Sequence, residues 1–94
     1  MTIKELEKLY QDIKEDPVQC REASKRLFLP ENPVPLQNMG IRFLTRAVKL
    51  QDPEAMYTMG TYFLNGKLRP LQGDPEERGR MLIRQAQELG FIGK

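Results

Sequence analysis

Three times in this chain an aspartate stands directly before a proline at the head of a stretch with helical apolar spacing: Asp16-Pro17, Asp52-Pro53 and Asp74-Pro75. Aspartate accepts hydrogen bonds from the free N–H groups of a first helical turn. Proline is favoured at the first helical position because its missing N–H would have no partner there. The pattern predicts three separate helix starts. A fourth comes at Thr2-Ile3-Lys4-Glu5, which has the form of a capping box.

Between these starts the apolar residues recur with helical period. The first helix carries Ile3, Leu6, Leu9, Tyr10 and Ile13 on one face and should end near Asp16. The second presents Cys20, Ala23, Leu27 and Phe28. The segment Pro30-Glu31-Asn32-Pro33-Val34-Pro35 reads as a non-helical loop, since its three prolines remove donors and push the residues before them toward extended backbone. A third helix is expected over Leu36 to Leu50, with Gly40, Phe43, Leu44, Ala47 and Leu50 in register. A fourth carries Ala55, Met56, Met59, Gly60, Tyr62 and Phe63 and stops at Asn65-Gly66. A fifth uses Gly79, Leu82, Ile83, Ala86 and Leu89 as its buried stripe and stops at Gly90. No alternating apolar and polar run supports a strand, so the expected fold class is all-α.

The third and fifth helices align without a gap at a shift of 39 residues, pairing Gly40 with Gly79, Phe43 with Leu82, Leu44 with Ile83, Ala47 with Ala86 and Leu50 with Leu89. Such a period indicates a repeat architecture, in which each hairpin completes its core by stacking on a neighbour. Residues 52–91 resemble a Sel1-like repeat, a relative of the tetratricopeptide hairpins. Met59-Gly60-Thr61-Tyr62 stands at that family's LGxxY position, Asn65-Gly66 at its loop, and Asp74, Ala86 and Gly90 at positions of its second helix. Residues 16–51 match as a degenerate copy, with Ser24 where the glycine belongs and Gly40 and Gly79 at alanine positions. Residues 1–15 read as a capping helix. The expected architecture over residues 1–94 is thus one domain, a short α-solenoid of about two Sel1/TPR-like hairpins behind an N-terminal cap. The resemblance implies an adaptor or scaffold in protein complexes, of a kind frequent in bacteria.

Composition removes other classes. The chain has no histidine, one cysteine (Cys20) and one serine (Ser24), so a nucleophile would lack an imidazole base and zinc would lack its usual nitrogen ligands. Neither GxGxxG nor GxxxxGK[ST] occurs. Glu76 and Glu77 are neighbours, but they follow Asp74-Pro75, where acids favour the positive end of a helix. We therefore expect no enzyme, no cofactor and no metal. Cys20, on an apolar stripe, reads as buried and inert. No run approaches the roughly 20 apolar residues of a membrane helix and the N-terminus is charged, so no membrane partner and a cytoplasmic location are expected.

What remains is binding. The leading expectation is a partner protein or peptide, with the chain acting as adaptor, chaperone or small inhibitor of bacterial or phage origin; a second copy of the chain is a further candidate. Tyr57, Thr61 and Leu64 lie on the side of the fourth helix opposite Ala55, Met59 and Tyr62, which makes Tyr57 the candidate anchor of a partner face. The alternative is a nucleic acid. Arg42, Arg46 and Lys49 on the third helix and Arg78, Arg80 and Arg84 on the fifth would supply the basic surface, although 15 basic against 13 acidic residues is a weak bias for such a partner. Phe91 and Ile92 are expected to fold back onto the fifth helix.

Overall fold

Among residues 1–92, which the computed structural model describes, the chain forms five α-helices and no strand: α1 (Ile3–Ile13), α2 (Pro17–Leu27), α3 (Val34–Lys49), α4 (Pro53–Leu64) and α5 (Pro75–Glu88). None of these helices is long and apolar enough to cross a membrane. Four begin on the side-chain caps read from the sequence. Thr2 and Glu5 exchange both bonds of a capping box, and Asp16, Asp52 and Asp74 accept from the backbone N–H of Gln19, Ala55 and Glu77.

The third helix departs from expectation. It starts two residues early, with Pro33 at the N-cap and Pro35 inside the first turn, and has no side-chain cap. The N–H groups of a first turn have no intrahelical acceptor, so Pro35 removes nothing there. The helix of residues 3–13 is shorter than expected, ending three residues before Asp16. The loop between α2 and α3 is held by Asn32, whose Nδ2 donates to the carbonyls of Arg26 and Leu27 at 3.1 and 2.9 Å and so closes the end of α2. Gln37 Nε2 in turn donates to the Asn32 carbonyl at 2.7 Å.

Internal contacts divide the chain into two compact units, residues 1–50 and 51–94. In the first, α2 packs along α3 and α1 lies more lightly against both. Phe43, Leu6, Leu44 and Cys20 are its largest fully buried side chains. A Cβ on Gly40 would fall 2.7 Å from the Phe28 backbone nitrogen, so the absence of a side chain there allows α3 to approach the end of α2. Ser24 is the buried polar residue on α2, whereas Ala23, Leu27 and Phe28, expected as its apolar face, are half-buried.

The second unit is the α4/α5 hairpin. A Cβ on Gly60 would lie 2.7 Å from the Gly79 carbonyl oxygen, and one on Gly79 would lie 2.7 Å from the Gly60 carbonyl oxygen. The two backbones therefore touch at this crossing, with Ile83, Leu82 and Leu64 beside it, and Ala55, Met59, Phe63 and Ala86 are buried in this unit. The expected stripe on α5 is only partly realised: Gly79 and Ala86 are buried and Leu82 and Ile83 half-buried, but Leu89 is 48% exposed. It stands at the C-cap, where it lines a shallow pocket with Gln51 and Met56.

Candidate functional site

The residues of α4 that do not enter the hairpin core line up as Glu54, Tyr57, Thr58, Thr61 and Tyr62, spaced as neighbours on one helical surface. They form one side of an open cleft of about 550 Å³. The other side is supplied by Phe91, just beyond α5. Phe91 arrives there through the way α5 ends. The Gly90 N–H bonds to the Gln87 carbonyl and the Phe91 N–H to the Ala86 carbonyl, each at 3.0 Å, a Schellman arrangement that needs the left-handed φ of +99° found at Gly90. The chain turns back and sets the Phe91 ring 5.2 Å from the Tyr57 ring, at 51° between planes. The expected fold-back thus brings the Phe91 ring to α4 while its backbone stays bonded to the end of α5, and Ile92, lining the same cleft, is 87% exposed.

Tyr57 and Thr61 thus share one site. Tyr57 is half-buried against Phe91, and Thr61 Oγ1 donates its proton to the Tyr57 carbonyl at 2.9 Å, leaving only lone pairs for a ligand. Leu64 does not join them. Its Cγ lies 2.9 Å from where a Gly79 Cβ would sit, so it packs over the glycine crossing, while 44% of it stays exposed. Tyr62, assigned from the sequence to the core side, lines the cleft instead, and Lys67 Nζ stands 5.1 Å from its ring centroid. Tyr62 sits at the edge of the core stripe, and a long ring leaving an edge position can swing either way. Glu54, Tyr62 and Phe91 went unrecognised as site residues. The spacing of Glu54 and Tyr62 with Tyr57 was a readable signal; the destination of Phe91 was not.

The arginines divide differently. On α3, Arg42 lies with its guanidinium 4.5 Å from the Tyr10 ring centroid, and Tyr10 itself packs on Phe43 at 5.4 Å. Arg46 Nε donates to the Lys14 carbonyl at 2.6 Å and its Nη2 pairs with Glu15 at 2.9 Å. Both side chains hold α1 against α3. The carbonyls at the end of a helix have no partner inside it, and a cation there satisfies hydrogen bonding and helix dipole together. On α5, Arg80 forms an exposed ion pair with Glu76 at 2.8 Å, Arg84 is exposed, and the stem of Arg78 covers the Gly73 turn.

Cys20 is fully buried, with Sγ donating to the Ile13 carbonyl at 3.3 Å, and burial pushes its thiol pKa up. A second apolar groove, of about 340 Å³, runs between α1 and α2 over Leu6, Leu9, Ile13 and Leu27, with Glu22 and Arg26 on its rim. No protein-family model, no curated protein and no solved structure matches the chain.

Proposed function

We propose that this protein is a non-catalytic interaction module, a short array of Sel1/TPR-like helical hairpins that binds a partner protein or peptide through the outer face of α4 and acts as an adaptor, chaperone or small inhibitor. The observation that carries this reading is the cleft itself: aromatic side chains from α4 and from the chain after α5 gathered around an open volume of about 550 Å³. Partly exposed tyrosines in a concave site are the usual anchors of protein interfaces, because they give large contact area at low entropic cost. The array reading rests on the 39-residue register and on the glycine that each hairpin places at its closest approach, Gly40 in one and Gly79 in the other.

The nucleic-acid reading has less support, because Arg42 and Arg46 are engaged in holding α1 and Arg80 is paired with Glu76. Affinity capture from the native host's lysate at low and at moderate salt, followed by binary binding of the purified partner, separates the two. The module reading expects a salt-resistant protein partner whose affinity falls at least tenfold in Tyr57→Ala and is unchanged in Arg80→Glu/Arg84→Glu. Salt-labile recovery of nucleic acid, lost in the double arginine variant, would replace it.

A further inference from the structure

We propose that the outward face of α5 is a second interaction surface, which receives an amphipathic helix of a partner protein, parallel to α5 and with a carboxylate toward Arg78. The proposal goes beyond the α4 cleft and stands on different residues.

The template lies in the same chain. α1 is seated on α3 through Tyr10, whose ring packs on Phe43 and lies under the Arg42 guanidinium, and through Arg46, which holds the Lys14 carbonyl and Glu15. Tyr10 to Lys14 follows Phe43 to Arg46, so α1 runs in the same sense as α3. At the shift of 39 residues, Arg42, Phe43 and Arg46 become Met81, Leu82 and Gln85, while Met39 and Leu50 become Arg78 and Leu89. On α3, Met39 and Phe43 are buried and Arg46 and Leu50 half-buried. On α5, Leu82 is half-buried, Arg78 and Gln85 are exposed, and Met81 and Leu89 are 46% and 48% exposed. The register that seats a helix on α3 is thus uncovered on α5. It forms a shallow furrow from Arg78 to Leu89, made of two pockets of about 140 and 210 Å³ that share Gln85.

Charge decides which helix fits. Arg78 and Gln85 have no ion pair or side-chain hydrogen bond among the described residues. Arg78 stands one turn before Leu82, so a helix seated as α1 is would bring to it the residue one turn before its counterpart of Tyr10. In α1 that residue is Leu6. An apolar side chain there would take water from the guanidinium and return no hydrogen bond, whereas a carboxylate forms a charge-assisted pair. This argues against the α1 of a second copy and for a helix with an acid in its first half, where acids also suit the helix dipole. Gln85, in place of Arg46, offers an uncharged donor to the carbonyls at that helix's end. Met81, Leu82 and Leu89 supply the apolar seam.

The test uses the full chain and two acetylated, amidated peptides: residues 1–16 of this sequence, and the same peptide with Leu6→Glu. Binding is followed by NMR of the methionine and leucine methyl groups. The Leu6→Glu peptide is expected to shift the Met81 and Leu89 methyls saturably and to bind at least fivefold more tightly than the unmodified one. Arg78→Gln should abolish that preference, and Met81→Glu should weaken binding at least tenfold. Gln85→Arg, which restores the arginine that holds α1 on α3, should tighten both peptides at least threefold. No binding, shifts confined to residues 1–50, equal affinities, a preference that survives Arg78→Gln, or no gain in Gln85→Arg would each overturn the proposal. A dimer in light scattering that Met81→Glu dissolves would overturn it in favour of a second copy. The substituted side chains are exposed, and thermal melts check that each variant folds; if Met81→Glu melts early, Arg78→Gln and Gln85→Arg decide. None of the three lines the α4 cleft, so the two surfaces are tested separately.

Discussion

At the scale of single residues, the shape of the cleft depends on one backbone angle. Gly90 adopts φ of +99°, where a Cβ would be strained although open space surrounds it. Gly90→Ala should therefore cost about 1 kcal/mol through conformation alone. The accompanying effect is local: the Phe91 ring should leave Tyr57, seen as loss of ring-current shifts between them while α5 stays folded. Retention of those shifts would mean that ring packing, and not the turn, places Phe91. Cys20 illustrates the opposite case, a reactive atom removed from use. Fully buried and bonded to the Ile13 carbonyl, its thiol should resist a disulfide reagent in native buffer and react at once in denaturant. Fast native labelling would show that α1 lifts readily off α2.

Among the elements, the α4/α5 crossing is a contact that leaves little room for substitution. Gly60 and Gly79 each stand where a Cβ would come within 2.7 Å of the other's carbonyl oxygen, and backbone cannot give way as a flexible side chain can. Alanine is the better helix former by about 1 kcal/mol, yet overpacking a close contact costs about 1–3 kcal/mol. Gly79→Ala should thus lower stability in a urea melt by up to about 2 kcal/mol. Gly79→Glu, which would force a carboxylate into the same contact, should abolish the cooperative transition. A Gly79→Ala protein more stable than the wild type would refute the close crossing. The α1 helix is held by other means, through Arg46 on the Lys14 carbonyl, Arg42 over Tyr10 and the Cys20 thiol on Ile13. They add to an apolar seam in which Leu6 and Ile13 are buried and Tyr10 packs on Phe43.

For the molecule as a whole, pH response follows from composition. With no histidine, no side chain has an ordinary pKa between pH 5 and 8, so stability should be level across that range. On the acid side, hydrogen bonds from the Thr2 backbone and hydroxyl hold the Glu5 carboxyl below its usual range, and bonds from the Gln19 side chain and backbone do the same for Asp16. Groups lowered in the folded state are protonated first in the unfolded chain. Their contribution is present above about pH 4, the unfolded carboxylate range, and is lost as pH falls through the folded values. On the alkaline side the sign reverses. The Cys20 thiol is raised by burial, so the unfolded chain loses its proton first, and stability should decline as pH rises above about 8.5. Melts of wild type and Cys20→Ala across pH 7 to 10 check this: the slope above pH 8.5 should be shallower in the variant, and parallel curves would contradict it.

The sequence alone determined the features whose physics is local. Asp16-Pro17, Asp52-Pro53, Asp74-Pro75 and the Thr2/Glu5 box mark helix starts because a capping side chain and the backbone N–H it accepts from lie within three residues of each other. Gly66 and Gly90 mark stops because left-handed backbone is open to glycine at little cost. The start of α3 was misread for a reason equally local: a proline in a first turn is permitted as readily as one outside it. Tertiary structure decided where edge residues go. Helical spacing assigns Tyr62 to a side of α4 but not the direction of its ring, and it marks Arg46 as polar without revealing that the end of α1 lies within reach. The turn at Gly90 was legible; that its next residue would land on Tyr57, 34 positions earlier, was not. Each of these outcomes depends on approach between segments distant in sequence, which no spacing along one helix encodes.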